Sequence, residues 1–512
     1  MTGGGAGWHH PRMSLPANID QLSADELRRL LVEQDRELNW RQVKIDKLTH
    51  EVAYYKRHYF GIKAERLPVE QGQLFEETLA ADMAAITEEL AQLSETKPKG
   101  QAKRKPLPPE LPRTEIHHEP DSTTCTCGCQ MQRIGEDVAE KLDYTPGTFT
   151  VERHIRGKWA CRQCETLIQA PVSAHVIDKG IPTTGLLAHV LIAKYLDHLP
   201  LYRQEGIFGR AGLPIPQSTL AEWVGQMGVT LQPLVDALKE EMLTYPVLHA
   251  DETPVAMLDP GKGKTHRAYL WSYSIGAFEP IKAVIYDFAD SRAGKHAQEF
   301  LDTWRGTLVC DDYAGYKALI ADGVTEAGCM AHARRKFFDL HANNQSQIAQ
   351  QALVYIQKLY QVEREVAELE PDERQRIRQK QAKPILDEFH GWLSRHRLQV
   401  PNGSSTAKAI DYSLKRWTAL VHYIDDGQVP IDNNWIENRI RPIAMGRKNW
   451  LFAGSLRAGK RAAAIMSLIQ SAKLNDHDPF LYLKDILSRL PSQPNSRISE
   501  LLPHRWLPEP AA

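Results

Sequence analysis

The stretch Pro246-Val-Leu-His-Ala-Asp-Glu-Thr-Pro-Val255 decides the fold of this chain. Its apolar run is typical of a buried β-strand, and a turn-forming proline follows Asp251 closely. A second strand pattern, Thr307-Leu-Val-Cys-Asp-Asp-Tyr-Ala-Gly-Tyr316, also ends in acidic residues. We therefore expect two aspartates, Asp251 and Asp311, to stand at the ends of two strands.

Further strand and helix patterns surround these two stretches. Residues 269–275 and 281–288 are rich in β-branched and aromatic residues, and Gly276 and Pro280 separate them, which predicts a hairpin. A helical pattern around 295–304 precedes the strand that ends at Asp311. The order of three strands, helix, strand, helix, strand predicts a mixed five-stranded sheet with helices. This order resembles that of ribonuclease H-like nucleotidyltransferases, in which acids of the first and fourth strands lie side by side.

A third acid, Glu437, lies in the helical pattern Asp432-Asn-Asn-Trp-Ile-Glu-Asn-Arg-Ile-Arg-Pro442, whose start Asp432 can cap. Carboxylate oxygens are the hard ligands that Mg²⁺ prefers. Two Mg²⁺ (or Mn²⁺) ions about 3.5–4 Å apart can promote in-line displacement at phosphorus. Asp251, Asp311 and Glu437 are therefore the candidate catalytic and metal-binding residues, with Asp312 the alternative to Asp311 and Glu252 the alternative to Asp251.

A basic strip follows Glu437. From Asn438 through Asn475 there is no Asp or Glu. Clustered cations beside a carboxylate site suit phosphate binding, and interleaved aromatic rings can stack on unpaired bases. Together with Arg334 and Arg335, which offer phosphate contacts at the edge of the site, the predicted DNA-binding residues are Arg439, Arg441, Arg447, Lys448, Trp450, Lys460 and Arg461; Arg457, Lys473 and Phe452 belong to the same strip.

Five of the seven cysteines lie in Cys125-Thr-Cys-Gly-Cys129 and Cys161-Arg-Gln-Cys164. Paired cysteines in a reduced compartment indicate a metal, and structural zinc takes four tetrahedral ligands. We predict a zinc site formed by Cys125, Cys127, Cys161 and Cys164. Cys129 remains an alternative to either of the first two.

Several separated blocks resemble the signature blocks of insertion sequence 66-type transposases: 249–254, 310–316, 329–337 and 433–454. The resemblance implies an Asp-Asp-Glu triad at Asp251, Asp311 and Glu437 and a zinc module that binds DNA ends. It also implies terminal inverted repeats and target DNA as partners, and two small accessory proteins of the same element. Cys329 and His332 form a Cys-x-x-His unit similar to one in related ribonuclease H-like transposases.

The chain divides into eight expected parts. A helical or coiled-coil region, 20–93, has apolar residues spaced by seven from Leu31 through Leu38 to Tyr59, which suggests self-association as one reading and packing on its own chain as the other. The other parts are a basic proline-rich linker at 94–113, the zinc module at 114–178, a helix-turn-helix-like DNA-binding region at 179–243, a ribonuclease H-like core at 244–342 and 428–475, a helical insertion at 343–427 and a C-terminal region at 476–512.

Composition agrees with this interpretation. The net charge of −1 makes local clustering, rather than overall charge, the source of any attraction to DNA. No apolar run is long enough to span a bilayer, so we expect a cytoplasmic, nucleoid-associated protein. The function expected is cleavage and joining of DNA. The alternatives are a structure-selective nuclease without strand transfer and a noncatalytic DNA-binding protein derived from a transposase.

Overall fold

A computed structural model describes residues 23–61, 80–90, 93, 107–109, 111–120, 122–145, 147–171, 174–177, 180–259 and 264–508. Most of the linker expected at 94–113, including all five of its lysine and arginine residues before Leu107, lies outside these residues. The start of the chain up to residue 22 and residues 62–79 also lie outside them.

The N-terminal region is helical, as expected. Helix α1 spans Ala24–Gly61, and residues 80–90 form helix α2. The apolar side chains of Leu31 and Leu38 in α1 are exposed, whereas Ala85 and Ile86 in α2 are buried. Helix α2 therefore packs into the protein, and the first half of α1 presents an apolar surface.

The cysteine-rich region forms a small sheet. Its strands are β1 (Arg113–His118), β2 (Gln132–Thr145), β3 (Thr148–Ala160) and β4 (Leu167–Gln169), in the order β1-β3-β2 with β4 paired to β3. The β2–β3 turn contains Gly147 at a φ of +87°, a left-handed conformation that favours glycine. Cys125, Met131 and Cys161 form a separate small core under this sheet.

Three helices connect this module to the central sheet: α3 (Thr184–Tyr195), α4 (Leu201–Arg210) and α5 (Gln217–Met242). Helix α3 is apolar on most of its circumference and is buried accordingly. Helices α4 and α5 are the pair in which the sequence suggested a helix-turn-helix. Both pack into the main core, with Phe208 of α4 and Leu220 and Trp223 of α5 buried.

The central sheet is mixed, as the order of elements predicted. Its strands are β5 (Val247–Asp259), β6 (Lys264–Ile275), β7 (Val284–Ala289), β8 (Thr307–Cys310) and β9 (Thr325–Gly328), in the order β7-β6-β5-β8-β9. Strands β5, β6 and β7 are antiparallel neighbours, while β8 runs parallel to β5 and β9. Helices α6 (Lys295–Leu301) and α7 (Lys317–Ala321) make the connections on either side of β8.

The expectation that a strand ends at Asp251 is wrong, because β5 continues to Asp259 and pairs with β6 throughout. Pro254 does not stop the strand. Its carbonyl accepts a hydrogen bond from Arg447, so the position that lacks an N–H faces away from β6. What ends near Asp251 is the pairing with β8, whose last partners are His249 and Val309.

The region after β9 is helical up to and beyond the segment that carries Glu437. Its helices are α8 (Met330–Asn344), α9 (Gln347–Val366), α10 (Pro371–Ile377), α11 (Lys383–Arg397), α12 (Ser405–Lys415), α13 (Trp417–Val421), α14 (Asn434–Trp450), α15 (Leu456–Leu474) and α16 (Pro479–Arg489). Helices α8 to α13 share a second hydrophobic core.

Helices α14 and α15 return to the central sheet. The hydroxyls of Ser467 and Ser471 accept hydrogen bonds from the backbone N–H groups of Tyr286 and Val284, at 2.8 and 3.0 Å, so α15 covers the edge strand β7. Asp432 was expected to cap α14, but it does not occupy the N-cap position. The N-cap position is Asn433, and Asp432 instead accepts a hydrogen bond from the N–H of Asn434 at 3.0 Å.

Candidate carboxylate site and cysteine cluster

Asp251 and Asp311 are brought together by strand register. The parallel pairing of β5 and β8 ends at His249 opposite Val309. Asp251 is the second residue after His249 within β5, and Asp311 is the second residue after Val309, just past the end of β8. Because the side-chain period of a strand is two, Asp251 leaves the sheet on the same face as His249. Asp311 follows β8 closely enough for its charge to act on Asp251.

Glu437 reaches the same place from α14. Burial raises the pKa of Asp251 well above its usual value, and the negative charges of Glu252, Asp311 and Glu437 raise it further. A nearby cation would offset the repulsion from these three negative charges and allow the Asp251 carboxyl group to ionise more easily. Carboxylate oxygens gathered in this way have the chemistry to bind a divalent cation.

The two alternative acids have other partners. The side chain of Asp312 is 47% exposed, and its Oδ1 lies 3.2 Å from Nη1 of Arg416. The side chain of Glu252 is only 1% exposed and accepts hydrogen bonds from Arg292, with Nε at 2.8 Å, and from the hydroxyl of Tyr316 at 2.9 Å. These contacts turn both acids toward basic or phenolic groups, which favours Asp251 and Asp311 as ligands.

Asn433 ties the glutamate helix to β5 next to Asp251. Its side chain is buried; Nδ2 donates to the carbonyl of Ala250 at 2.9 Å, and Oδ1 lies 2.7 Å from Nδ1 of His249. The backbone N–H of Asn433 donates to the sulfur of Cys329 at 3.2 Å. Burial lowers the pKa of His249 to about 4, so its imidazole is neutral at physiological pH and can donate to the amide oxygen.

The sequence interpretation did not assign roles to His249 and Asn433, or to Arg292 and Arg416. His249 and Asn433 lie inside the blocks 249–254 and 433–454, so the sequence placed both of them close to candidate acids. Their contact with each other was not predictable, because it joins residues far apart in the chain.

Part of the predicted basic strip is available to a partner. Arg334, Arg335, Arg441, Lys448 and Lys460 are exposed. Arg439 is half-buried with its guanidinium 4.0 Å from the centre of the Trp435 ring, and Arg447 is held by the carbonyl of Pro254. Trp450 is half-buried and, with Phe452, lines a cavity of about 100 Å³ between α3, α15 and the sheet.

Arg461 was expected to contact DNA, but its side chain is buried and does not belong to the exposed basic strip. Its side chain is 6% exposed, and Nη1 lies 2.9 Å from Oδ1 of Asp82, a residue of α2 with no exposed surface. Arg457 pairs with two glutamates of the N-terminal helices, Glu51 at 2.7 Å and Glu89. Acidic side chains of α1 and α2 therefore occupy these two cations of α15.

The four cysteines predicted to bind zinc converge. Their sulfur atoms all lie within 4.8 Å of one another, and the Cys127–Cys161 and Cys127–Cys164 distances are 3.8 and 3.7 Å. Zn–S bonds of about 2.3 Å at tetrahedral angles place sulfur atoms roughly 3.8 Å apart. Cys129 instead faces Gln163, with its sulfur 2.6 Å from Oε1.

The local backbone favours the thiolates of Cys125 and Cys161. For Cys127 a backbone hydrogen bond at Cys129 lowers the pKa, but the neighbouring thiols of Cys125 and Cys129 outweigh it and raise the pKa overall. Hydrogen bonds from the backbone of Cys127 and the side chain of Cys164 lower the pKa of Cys125 to about 6. Backbone N–H groups of Cys164 and Gln163 lower the pKa of Cys161 as well. A zinc ion needs deprotonated ligands, so the arrangement is that of a structural zinc site.

Comparison with known protein families identifies the chain. Residues 179–461 match the family described as "Transposase IS66 family", and residues 122–165 match the "zinc-finger binding domain of transposase IS66". Residues 467–504 match the "IS66 C-terminal element", and residues 47–116 match the "Transposase C of IS166 homeodomain" family. The chain belongs to the IS66 family of transposases, as the resemblance of its sequence blocks predicted.

Relatives of similar length occur in Sinorhizobium fredii. The uncharacterized protein y4hP is 34% identical over 494 residues, which cover 91% of this chain and 88% of the relative. The uncharacterized protein y4qI is 36% identical over 485 residues, covering 91% and 90% of the two chains, and y4jD is 36% identical over 418 residues, covering 78% and 81%. Among the described residues, no helix is both long and apolar enough to cross a membrane.

Proposed function

We propose that this transposase binds the ends of an insertion sequence and catalyses metal-dependent DNA cleavage followed by strand transfer, with Asp251, Asp311 and Glu437 as its catalytic carboxylates. The observation that carries the proposal is the β5–β8 register, which aligns the two aspartates, together with the crowding of Glu437 against them. The strand order β7-β6-β5-β8-β9 supports a ribonuclease H-like core, in which the helical stretch 343–427 is an insertion.

The carboxylates fit two Mg²⁺ or Mn²⁺ ions. The donors are hard oxygens, and the carboxyl group of Asp251 is crowded by the negative charges of Asp311 and Glu437. When bound, such a metal pair activates the attacking oxygen and stabilises the leaving oxygen of the phosphodiester. The side chains of the three acids would hold the ions, so the protein would contribute positioning and charge more than proton transfer.

Other residues orient the acids and the DNA. Asn433 fixes the start of α14 against Ala250, next to Asp251. Arg335 lies 3.5 Å from Glu437 and reaches solvent, so it can contact a phosphate beside the site. The proposed DNA surface comprises Arg334, Arg335, Arg441, Lys448 and Lys460, with Arg439, Arg447 and Trp450 at its half-buried margin.

Two further parts of the proposal concern assembly. The tetracysteine module would bind element ends, and the α4–α5 pair would contact the same DNA. Leu31 and Leu38 are 65% and 64% exposed at a spacing of seven residues, which supports self-association of α1 in a complex that pairs two DNA ends. The accessory proteins implied by the family remain expected partners.

The test is cleavage of a plasmid that carries the two ends of the protein's own element, with Mg²⁺ and with EDTA. Asp251→Asn, Asp311→Asn and Glu437→Gln should each reduce the rate of 3′-end formation by at least about 10³-fold, as expected for a lost transition-state interaction. Asp312→Asn is the matched control and should retain cleavage within about tenfold.

Three outcomes would change or replace the proposal. Loss of cleavage in Asp312→Asn with retention in Asp311→Asn would move the second ligand to Asp312. Supplying DNA with pre-cut ends and finding no joined product would favour the structure-selective nuclease. DNA binding by wild type without any metal-dependent product would favour the noncatalytic protein.

A further inference from the structure

Three potential metal ligands, Cys329, His332 and Glu437, meet where α8 begins beside α14. One ligand atom from each lies within 4.8 Å of the other two. Cys329 is buried directly before the first residue of α8, and His332 follows within the first turn of that helix. Glu437 lies in the first turn of α14. Two helix starts therefore deliver a thiol, an imidazole and a carboxylate to one point.

The distance between the imidazole and the carboxylate does not suit a direct contact. Nδ1 of His332 lies 3.6 Å from Oε1 of Glu437, beyond the 2.7–3.2 Å range of a hydrogen bond. Both atoms are enclosed, and neither has a hydrogen-bond partner among the residues described. Enclosed polar atoms usually have partners, so two that face each other across this gap indicate that a third group belongs between them.

A tetrahedral cation accounts for the gap. Zn–N and Zn–O bonds of about 2.0–2.2 Å at a tetrahedral angle place the two donor atoms about 3.4 Å apart. The third ligand is held in place, because the backbone N–H of Asn433 donates to the sulfur of Cys329 at 3.2 Å. Burial raises the pKa of the Cys329 thiol, so a cation has to displace its proton on binding. The set therefore needs only a small adjustment to bind.

We propose that Cys329, His332 and Glu437 bind a zinc-class divalent cation through Sγ, Nδ1 and a carboxylate oxygen, with a fourth position open. Thiolate and imidazole ligands select such ions over Mg²⁺. Binding releases the thiol proton of Cys329 to solvent, and no electron is transferred. The site is separate from the tetracysteine cluster. It does not depend on the proposed DNA cleavage, although it shares Glu437 with that site.

The experiment uses the full chain, purified with its tetracysteine cluster intact. After equilibration with zinc and removal of free ions, wild type should hold two zinc ions per chain by elemental analysis, and His332→Ala should hold one. Addition of Co²⁺ to the purified protein should give visible bands of a tetrahedral ion with a thiolate charge-transfer band. Cys329→Ser should remove the charge-transfer band.

The variants separate this site from its neighbours. His341→Ala is the matched control, since His341 lies on the same helix α8 and contacts the carbonyl of Ser346. Asp251→Asn and Asp311→Asn would abolish the proposed cleavage and should leave cobalt binding unchanged. Loss of one ligand should weaken affinity at least about a hundredfold, since even the loss of an outer-shell partner costs about 10–100-fold.

The proposal is overturned by any of three results. These are a single zinc ion per chain in wild type, a cobalt spectrum that is the same in wild type and His332→Ala, and loss of cobalt binding in Asp251→Asn. If a variant does not fold, the zinc content of wild type alone still decides whether the chain binds one zinc ion or two.

Discussion

The buried pair of Asp82 and Arg461 provides a quantitative test of how the N-terminal helices are held. Neither side chain has more than 6% of its surface exposed, and the hydroxyl of Ser455 donates a second hydrogen bond to Asp82. Helix α5 closes the other side: a Cβ added to Gly228 would lie 2.4 Å from Cγ of Arg461. Removing Asp82 would therefore leave the guanidinium charged, enclosed and unpaired.

The expected cost of Asp82→Ala is about 3–5 kcal/mol of unfolding free energy, the usual penalty for removing one partner of a buried ion pair. Arg461→Ala should cost a similar amount. The double variant Asp82→Leu with Arg461→Met should lose much less than the sum, because it removes both charges and preserves volume. Glu500→Ala, which breaks an exposed pair with Arg497, is the control and should cost about 0–1 kcal/mol.

The assay is urea unfolding followed by circular dichroism, with hydrogen exchange of residues 80–90 as a local measurement. Asp82→Ala should increase exchange in α2 before the central sheet is affected, because Asp82 joins α2 to α15. If Arg461→Ala weakened DNA binding and left both unfolding and exchange in α2 unchanged, the structural role assigned to this pair would be refuted.

Four more predictions follow from the described contacts. Asp251→Asn should raise the melting temperature in EDTA at neutral pH, because the pKa of Asp251 is raised in the folded state. The contribution of this group to the stability of wild type is fully present below the pKa of the unfolded chain and is lost as pH rises through the folded-state pKa. A variant no more stable than wild type at neutral pH would contradict this. Cys161→Ser should lose about one zinc ion per chain by elemental analysis and destabilise the small sheet; unchanged zinc content would exclude Cys161 as a ligand. Asn433→Ala should cost about 1–3 kcal/mol, because it leaves His249 without a partner, and should lower kcat more than KM in the cleavage assay; an equal loss in a variant remote from the site would argue against positioning. Leu38→Lys should shift the sedimentation coefficient toward that of a monomer, and an unchanged coefficient would exclude α1 as the interface.

Local pattern was enough to predict the central sheet. The strand and helix order around Asp251 and Asp311 followed from alternating apolar and turn residues, and the mixed sheet has that order. The length of β5 was not predictable in this way. A proline normally ends a strand. Pro254 is tolerated within β5 because its backbone carbonyl points away from β6, on the side where pairing with β8 ends at His249.

The prediction from residue type alone that Arg461 lies on an exposed surface was wrong. A cation in an acid-free stretch is expected on a surface, and only the distant Asp82 makes its burial possible. The same reason applies to Asp311 and Asp312, since adjacent acids look alike in sequence, and the pairing of Asp312 with Arg416 depends on α13 and its neighbours. Long-range partners decide these cases, and a single sequence does not display them.

The bridge made by Asn433 has a consequence for how this chain can change. Because its amide fastens the start of α14 directly to Ala250, the helix that carries Glu437 is tied to the strand that carries Asp251. The stretch from α9 to α13 shares the second core with α8 and with Val247, Val309 and Ala327 of the central sheet. Insertions are therefore expected to be tolerated in the exposed loop at 398–403, between α11 and α12, while Asp251, Asp311 and Glu437 keep their relative positions, which makes this loop a place to engineer a new binding function.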